Sequence, residues 1–322
     1  MRRQLPLLTI IGDVGVDLVM GPLDGWPKIG TESLMNQSEL RAGGSGGNTA
    51  LAASYLGAES RLLSAVGNDE LGSWLKEQFR PLNASLPACQ APTSITVGFI
   101  HTVGERTFFT TRGHLEKFGY EHVRPLLHPM PNAGSIAMLS GAFLTPSLRR
   151  SYPRLLDEIA ALGYEVALDT GWPPEGWSDA SRAEVFGWIA KCDHVLLNEL
   201  EVANLANHAD LEVAGQRVAS WLKPGATLVA KTGERGAIGF QQGKRVAFEA
   251  VRVDVFDTIG AGDSFNAGYL LARMNGAILQ EALIAGCRAA GSIISRFPRR
   301  QIRAGELAGL IASPPTTAAL SR

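Results

Sequence analysis

Most of the chain alternates between short apolar runs and amphipathic stretches. The apolar runs predict strands, and the stretches with a period near 3.6 residues predict helices. Because strands that alternate with helices form parallel sheets covered on both faces, the pattern predicts an α/β fold around a mostly parallel sheet. The predicted strands are 61–67, 135–139, 165–168, 194–197 and 227–231, and the predicted helices are 49–57, 71–79, 147–162, 181–190, 199–204, 213–222 and 279–295.

Small or polar residues directly follow several predicted strands, including a first strand that ends at Ile11. These residues are Gly12-Asp13, Gly141, Asp169, Asn198 and Gly233. In a parallel α/β sheet, ligands bind beyond the carboxyl ends of the strands. The pattern therefore predicts a binding site along one edge of the central sheet.

The clearest local signal for chemistry is the stretch 257–268, Asp-Thr-Ile-Gly-Ala-Gly-Asp-Ser-Phe-Asn-Ala-Gly. Gly260, Ala261 and Gly262 are small, so backbone N–H groups can approach a ligand there. A helix is predicted from Asp263 onward, and its first turn offers unpaired N–H donors to a phosphate. Asp263 could then take a proton from an attacking hydroxyl. The alternative is a helix that is simply capped by Asp.

Two regions of the first half differ from this alternation. Residues 18–42 contain many turn residues and predict an extended excursion, and residues 93–112 predict a β-hairpin around Val103-Gly104-Glu105. Together they could form a small sheet that projects from the main body, with an antiparallel edge on the main sheet as the alternative. Composition does not change along the chain, so residues 1–322 are expected to form one domain, with a frayed tail at 313–322.

Composition argues against several classes of protein. The formal net charge of the 322 residues is −1, which gives no basic surface for nucleic acid or an anionic membrane. No apolar run is long enough to cross a bilayer. Three widely spaced cysteines indicate reduced thiols in a cytoplasmic protein, and the scattered histidines give no support for zinc. The motifs of dinucleotide-binding and P-loop enzymes are absent.

Four stretches resemble the ribokinase or PfkB family of sugar kinases, in the order and at the spacing typical of that family. They are Gly-Gly-Ser-Gly-Gly-Asn at 43–48, Asn-Glu-Leu-Glu at 198–201, Lys-Thr-Gly-Glu-Arg-Gly at 231–236, and 257–268. The resemblance covers nearly the whole chain. It implies a ribokinase-like three-layer sandwich in which residues 18–42 and 93–112 form a small β lid. It also implies ATP-dependent phosphorylation of a hydroxyl, expected to be a hydroxymethyl group, of a small sugar.

The resemblance also implies a role for individual residues. Asp263 is expected to be the catalytic base, beside an anion hole formed by Gly260, Ala261 and Gly262. Glu201 is expected to bind Mg²⁺ directly or through water, although its spacing from Asn198 also fits a capping box. The remaining expected roles are sugar binding for Asp17, Gly43, Gly44, Asn48 and Thr96, ATP binding for Asn198, Lys231, Gly233 and Gly236, and a monovalent cation such as K⁺ at Asp257.

The sequence departs from ribokinase itself at two positions, since Ser45 and Gly141 stand where ribokinase has Lys and Glu. The sugar is therefore left open. An adenosine-like nucleoside kinase is the alternative within the same fold, and Phe99, Phe108 and Phe109 could line a slot for the base. A non-catalytic sugar-binding protein is the second alternative, and such a protein should have lost the base or an anion-hole glycine. A homodimer through the lid is also compatible with the resemblance.

Overall fold

The computed structural model of the chain describes residues 5–103, 105–255 and 257–295. In this part the strands are, in chain order, β1 (Leu8–Ile11), β2 (Gly15–Leu23), β3 (Gln37–Gly43), β4 (Ser60–Leu63), β5 (Val66–Gly67), β6 (Asn83–Ser85), β7 (Ala88–Cys89), β8 (Ile95–His101), β9 (Arg106–Thr110), β10 (Ile136–Ser140), β11 (Glu165–Asp169), β12 (His194–Asn198), β13 (Thr227–Lys231), β14 (Ala237–Gln241) and β15 (Lys244–Phe248). The α-helices are α1 (Ser45–Tyr55), α2 (Glu70–Gln78), α3 (Tyr120–Val123), α4 (Pro146–Arg149), α5 (Tyr152–Ala161), α6 (Asp179–Ile189), α7 (Glu199–Ala206), α8 (Leu211–Ala219), α9 (Ala261–Met274) and α10 (Leu279–Ile294). The tail predicted at 313–322 lies outside the described residues.

Nine strands form the central sheet, in the order β15-β14-β13-β12-β11-β10-β1-β4-β6. In this order, every pair of neighbouring strands from β13 to β6 is parallel. At the other end of the sheet, β14 pairs antiparallel with both β13 and β15. The predicted α/β fold with a mostly parallel sheet is confirmed. Because β1 lies inside this sheet and both faces of the sheet are covered, all four of its residues are buried.

Alternate residues of the central strands pack on opposite faces of the sheet. Ile11 and Leu139 belong to a core cluster that includes buried residues of α5 and α6. Ile10 and Met138 belong to a second cluster, with residues of α1, α9 and α10. The sheet is therefore the middle of three layers, as predicted, and it places α1 and α9 on the same face.

A separate four-stranded sheet has the order β3-β2-β8-β9. β2 pairs antiparallel with β3 and parallel with β8, and β8 and β9 form the predicted hairpin. The alternative, in which this hairpin lies on an edge of the main sheet, is excluded. The small sheet thus arises from the two regions predicted to form it, and its function as a lid stays a prediction.

Two predicted elements are interrupted in the structure. The helix predicted at 147–162 is divided into α4 and α5, because Pro153 lies in the first turn of α5 and proline is favoured only at the start of a helix. The strand predicted at 61–67 is divided into β4 and β5, and β5 pairs with β7 in a separate two-stranded sheet. Within the described residues, no helix has both the length and the apolar character needed to cross a membrane.

Candidate active site

Five neighbouring strands of the central sheet bring their last residues to one edge. β1 is followed by Asp13 and β10 by Gly141, while β11, β12 and β13 end in Asp169, Asn198 and Lys231. These strands are parallel, so their carboxyl ends lie side by side. The edge predicted from the sequence therefore combines carboxylates, an amide and one ammonium group.

The N-terminus of α9 offers backbone donors at this edge. Gly260 precedes the helix with φ +70°, a left-handed conformation that favours glycine. The N–H of Ala261 donates to the carbonyl of Thr258 (3.2 Å). Within the described part of the chain, no backbone carbonyl accepts the N–H of Gly262 or of Asp263. Helix α9 therefore begins with two amide donors that can bind an anion.

Asp263 lies in the first turn of α9 and is partly buried. Asn48 of α1 donates through Nδ2 to its Oδ2 at 3.1 Å, so the two helices hold this carboxylate between them. Burial, followed by repulsion from Asp169, raises the pKa of Asp263 to about 8, and Lys231 acts in the opposite direction. A carboxylate with a pKa near working pH is well suited to accept a proton.

Lys231 forms the centre of a buried polar network next to α9. Its Nζ donates to Asp169 Oδ2 at 2.6 Å and to Asn266 Oδ1 at 3.2 Å, and Asn266 Nδ2 donates to the same Asp169 oxygen at 2.6 Å. Burial disfavours the charge of Lys231, but attraction by Asp169 and Glu201 outweighs it, so the pKa of Lys231 is raised. A Cβ atom on Gly262 would lie 3.5 Å from Nζ. A permanent positive charge therefore stands beside the first turn of α9.

Asn198 and Glu201 form a capping box at the start of α7. Glu201 Oε2 accepts the N–H of Asn198 at 2.8 Å, and Asn198 Oδ1 accepts the N–H of Glu201 at 2.8 Å. Burial and repulsion by Asp169 raise the pKa of Glu201 to about 7, although Lys231 lowers it. The capping box is thus present, and the Mg²⁺ role of Glu201 stays a prediction.

The site fits a metal ion that arrives with a nucleotide. Within the residues that the structure describes, no three or more His, Cys, Asp or Glu side chains are grouped as a metal site. Mg²⁺ in nucleotide sites takes only one or two protein carboxylates and completes its coordination with water and phosphate oxygens. Glu201, buried beside the strand ends, can supply such a carboxylate.

The carboxylate of Asp13 lies at the N-terminus of α1. The sequence had indicated only that Asp13 follows a strand. Its Oδ2 accepts the N–H of Ser45 (3.0 Å), its Oδ1 that of Gly46 (3.3 Å), and its carbonyl that of Gly47 (3.1 Å). Burial raises the pKa of Asp13 despite these hydrogen bonds. Gly44 has φ +83°, and a Cβ atom there would lie 2.6 Å from the Asp13 carbonyl oxygen. Gly44 is therefore required for the close approach of α1 to the chain after β1.

One face of the small sheet is directed towards the loop before α9. Asp17 of β2 pairs in register with Arg41 of β3 and with Thr96 of β8, so these three side chains share a face. Gly98 lies on this face as well, and a Cβ atom there would be 3.6 Å from Ile259 Cδ1. The predicted sugar-binding residues Asp17 and Thr96 therefore face the same region as the start of α9.

Gly43 and Thr96 both lie close to other residues of the small sheet. A Cβ atom on Gly43 would collide with the carboxylate of Asp17, which explains the glycine at the end of β3. Thr96 Oγ1 and Thr110 Oγ1 are hydrogen-bonded at 3.0 Å. Both predicted residues thus shape the face that carries Asp17.

The three phenylalanines of the hairpin lie on two different faces. Phe108 pairs with Gly98 and shares the face of Asp17. Phe99 and Phe109 lie on the opposite face, in edge-to-face contact with each other (6.2 Å) and with Trp26 (6.1 and 6.0 Å between ring centroids). Of these three rings, Phe108 alone is directed towards the face of Asp17.

The two glycines of the loop after β13 have different environments. Gly233 has φ +59° and open space where a Cβ atom would lie, so its backbone can approach a ligand. Gly236 has φ +97°, and a Cβ atom there would collide with the carbonyl of Phe248 in β15. Packing against β15 therefore requires glycine at position 236, and its contact with ATP stays a prediction. Thr232 and Arg235 line a pocket beside this loop.

Asp257, where a monovalent cation was predicted, is paired with an arginine, and the cation itself stays a prediction. Its Oδ2 accepts a hydrogen bond from Arg41 Nη2 at 2.8 Å, and its Oδ1 accepts the N–H of Ile259 at 2.8 Å. The guanidinium supplies a positive charge next to Asp257, and it also pairs with Glu39, whose Oε2 lies 3.2 Å from Arg41 Nη1.

Sequence reasoning missed several residues of this region. Asp13 and Asp169 were recognised only as residues at strand ends, and Arg41 and Asn266 gave no signal of their own. Asn266 lies within the stretch 257–268, three residues after Asp263, so its position one turn along α9 could have indicated it. Arg41 becomes visible only through its contact with Asp257.

The chain matches the model of the "pfkB family carbohydrate kinase" over residues 8–298. A fructokinase of Rhizobium leguminosarum bv. trifolii is 29% identical over 269 residues, which cover 81% of this chain and 80% of that protein. A nucleoside kinase of Methanothermobacter thermautotrophicus is 24% identical over 276 residues, which cover 85% of this chain and 84% of that protein. The crystal structure of adenosine kinase from Sinorhizobium meliloti superposes with a TM-score of 0.80 at 24% identity, covering 96% of this chain and 99% of that one.

Fold and comparisons together define an ATP-dependent kinase. The match to the family model spans most of the chain, in agreement with the four stretches that suggested the resemblance. The chain belongs to the pfkB family of carbohydrate kinases.

Proposed function

We propose that this kinase transfers the γ-phosphoryl group of ATP to a hydroxymethyl group of a small sugar. The observation that carries the proposal is the first turn of α9, where two amide donors adjoin the carboxylate of Asp263. Anionic phosphate suits those amides, and the carboxylate beside them can accept the proton of the attacking hydroxyl. The fructokinase relative supports a sugar as the acceptor.

Asp263 acts as the base in this proposal. A sugar hydroxyl is a very weak acid, so its proton leaves as the bond to phosphorus forms, and positioning together with charge stabilisation dominates the catalysis. Asn48 orients the carboxylate of Asp263 through the 3.1 Å hydrogen bond. The amides of Gly262 and Asp263 and the ammonium of Lys231 stabilise the charge that develops on the phosphoryl group. Gly260 and Ala261 set the turn that aims these amides.

ATP is bound between the strand ends and the loop after β13. Gly233 allows the backbone to approach the nucleotide, Lys231 meets the phosphates, and Gly236 keeps the loop closed against β15. Asn198 fixes the start of α7, so that Glu201 can hold Mg²⁺ directly or through water. Mg²⁺, when bound, neutralises phosphate charge.

The acceptor lies between α9 and the face of the small sheet that carries Asp17. The carboxylate of Asp17 accepts hydrogen bonds from sugar hydroxyls, and Gly43 and Gly44 let the chain pass close to it. Thr96 adds a hydroxyl to the same face. In this proposal the small sheet, residues 18–42 and 93–112, is the lid of a single domain.

A coupled assay of ADP release tests the proposal. The purified protein is incubated with Mg²⁺ and ATP, and D-fructose, D-ribose and adenosine are compared as acceptors, with phosphorus NMR of the product to locate the new ester. We expect a hexose or pentose to be phosphorylated at a hydroxymethyl group. Phosphorylation of adenosine but of neither sugar would support the second candidate instead.

That second candidate is a nucleoside kinase. Phe108 shares the face of Asp17 and is half-exposed, so its ring could stack on a base. The nucleoside kinase relative and the adenosine kinase structure agree with this reading. Phe108→Ala separates the candidates, because it should raise KM strongly for a stacked nucleoside and much less for a free sugar.

The outer face of the small sheet supports a homodimer through the lid. Trp26, Phe109 and Leu40 are each exposed by more than half of their surface (59, 54 and 51%), and rings on this face contact one another. Exposed apolar clusters of this kind are typical of protein interfaces. Light scattering after size-exclusion chromatography should give twice the chain mass, and Trp26→Glu with Phe109→Glu should give the monomer.

A further inference from the structure

Arg41 of the small sheet and Asp257 of the loop before α9 form a buried ion pair. The Nη2–Oδ2 distance is 2.8 Å, and the side chains are only 9% and 5% exposed. The two residues are 216 positions apart in the chain, so the pair exists only in the folded protein. Because a guanidinium stays protonated at any physiological pH, the charge that it brings to Asp257 is permanent, and Arg41 shares it with Glu39 through a contact of 3.2 Å between Nη1 and Oε2.

The pair connects the small sheet to the start of α9. Arg41 is part of β3, on the face of Asp17. Asp257 Oδ1 accepts the N–H of Ile259 at 2.8 Å, and the N–H of Asp257 donates to the carbonyl of Ile294 (3.3 Å) in α10. Gly260, whose left-handed turn begins α9, follows Ile259 directly. The guanidinium therefore holds the loop whose shape determines where the α9 amides point.

We propose that Arg41 is a built-in counter-ion that positions the loop before α9, so that this kinase turns over without a bound monovalent cation. Arg41 touches neither ATP nor the acceptor in this proposal, and it acts through Asp257 and the loop. An inorganic cation at Asp257 would have to share this carboxylate with a guanidinium that is bound in a buried site. The inference rests on the proposed function, because the start of α9 is taken as the phosphate site.

The test compares potassium with tetramethylammonium chloride at equal ionic strength. Wild-type protein should show the same kcat in both salts. Arg41→Ala should lower kcat by roughly 10- to 100-fold, because a displaced loop misplaces the α9 amides, and potassium or free guanidinium should restore part of this loss. Arg41→Lys keeps a tethered cation, so its kcat should lie between those of wild type and Arg41→Ala. Arg149→Ala is the matched control, since it removes a different partly buried pair, with Glu184, and should give no response to either cation.

Two results would overturn the proposal: stimulation of wild-type kcat by potassium over tetramethylammonium, or an Arg41→Ala protein whose lost kcat neither cation restores. The melting temperature gives a reading that needs no turnover. Potassium should raise the Tm of Arg41→Ala and leave the Tm of wild type unchanged, compared with tetramethylammonium. If the wild-type protein phosphorylates no acceptor, the proposed function fails, whereas the Tm comparison still decides the role of Arg41.

Discussion

Helices α1 and α9 begin at the same edge of the sheet, yet their first amides have different partners. At α1, the N–H groups of Ser45, Gly46 and Gly47 all donate to Asp13. At α9, the amides of Gly262 and Asp263 have no backbone acceptor among the described residues. A helix start attracts negative charge in both cases. The protein supplies that charge itself at α1, whereas α9 can take it from a ligand.

In the proposed function, this difference separates a helix start that stabilises the fold from one that binds a ligand. An amide that is satisfied by a buried carboxylate stabilises the fold, and it has no capacity left for phosphate. An amide without an internal acceptor costs stability in the free protein and can bind an anionic substrate. Asn48 links the two, because it belongs to α1 and holds Asp263 of α9. Changes that exchange the roles of the two helix starts test this reading.

Removing the base at α9 should have the largest effect. Asp263→Asn keeps the shape of the side chain and its neighbours but cannot accept a proton, so kcat should fall by about 10²–10⁴-fold. Binding of ATP and of the acceptor should be retained, which calorimetry can measure on the variant. Turnover close to that of wild type would reject Asp263 as the base.

Making α9 resemble α1 should have the next largest effect. Gly262→Asp places a carboxylate next to the free amides and within reach of Lys231, because the Cβ position lies 3.5 Å from Nζ. The protein's own anion would then compete with phosphate, and kcat/KM for ATP should fall by roughly 10²-fold or more. Gly262→Asn is the matched control of nearly equal size without charge. An equal loss in both variants would point to bulk and not to charge.

The pH dependence of the free enzyme should follow Asp263. Its pKa is raised to about 8, and the base is active when deprotonated. Below that pH, kcat/KM should therefore fall by about tenfold per pH unit. Because the folded pKa lies above that of the unfolded chain, ionisation of Asp263 costs folding free energy as pH rises towards 8. Asp263→Asn should thus melt above wild type at pH 8 and close to it at pH 4, and a flat rate profile between pH 6 and 8 would contradict the assignment.

Removing the Asp13 carboxylate from the N-terminus of α1 should have the smallest effect on turnover and a clear effect on stability. Asp13→Ala leaves the half-buried amide of Ser45 and the buried amide of Gly46 without their acceptor, which should lower the free energy of unfolding by about 1–3 kcal/mol. Urea unfolding measures the loss. Asp13→Asn keeps an acceptor oxygen and should lose less. A stability equal to that of wild type in Asp13→Ala would show that water satisfies these amides.

Local patterns in the sequence predicted those parts of the molecule that depend on neighbouring residues. Alternating apolar runs gave the central sheet, and the small residues before Asp263 gave the start of α9. The helix predicted at 147–162 was wrong in its continuity because Pro153 was not taken into account. The start of α1 was predicted too late, at Thr49, because the acceptor of its first amides is Asp13, 32 residues earlier than Ser45.

Long-range ion pairs could not be predicted in this way. Lys231 and Asp169 are 62 residues apart, and Arg41 and Asp257 are 216 apart. Each charge taken alone is equally compatible with a solvated surface residue, and only the pairing of strands brings the partners together. The cation expected at Asp257 was implied by the resemblance alone, which gave no indication of its partner Arg41. The polar residues at strand ends were predictable as a group, whereas their individual partners were not.

Successive residues of strand β2 lie on opposite faces of the small sheet. Asp17 is directed towards the site, whereas Leu18 pairs in register with Leu40 and Val97 on the outer face. Between Asp17 and Met20, beyond which the register with β8 shifts, we expect substitutions at positions 17 and 19 to change the choice of acceptor and those at positions 18 and 20 to change assembly. Selection can act on these two properties of one short segment almost independently, as long as the strand keeps its register.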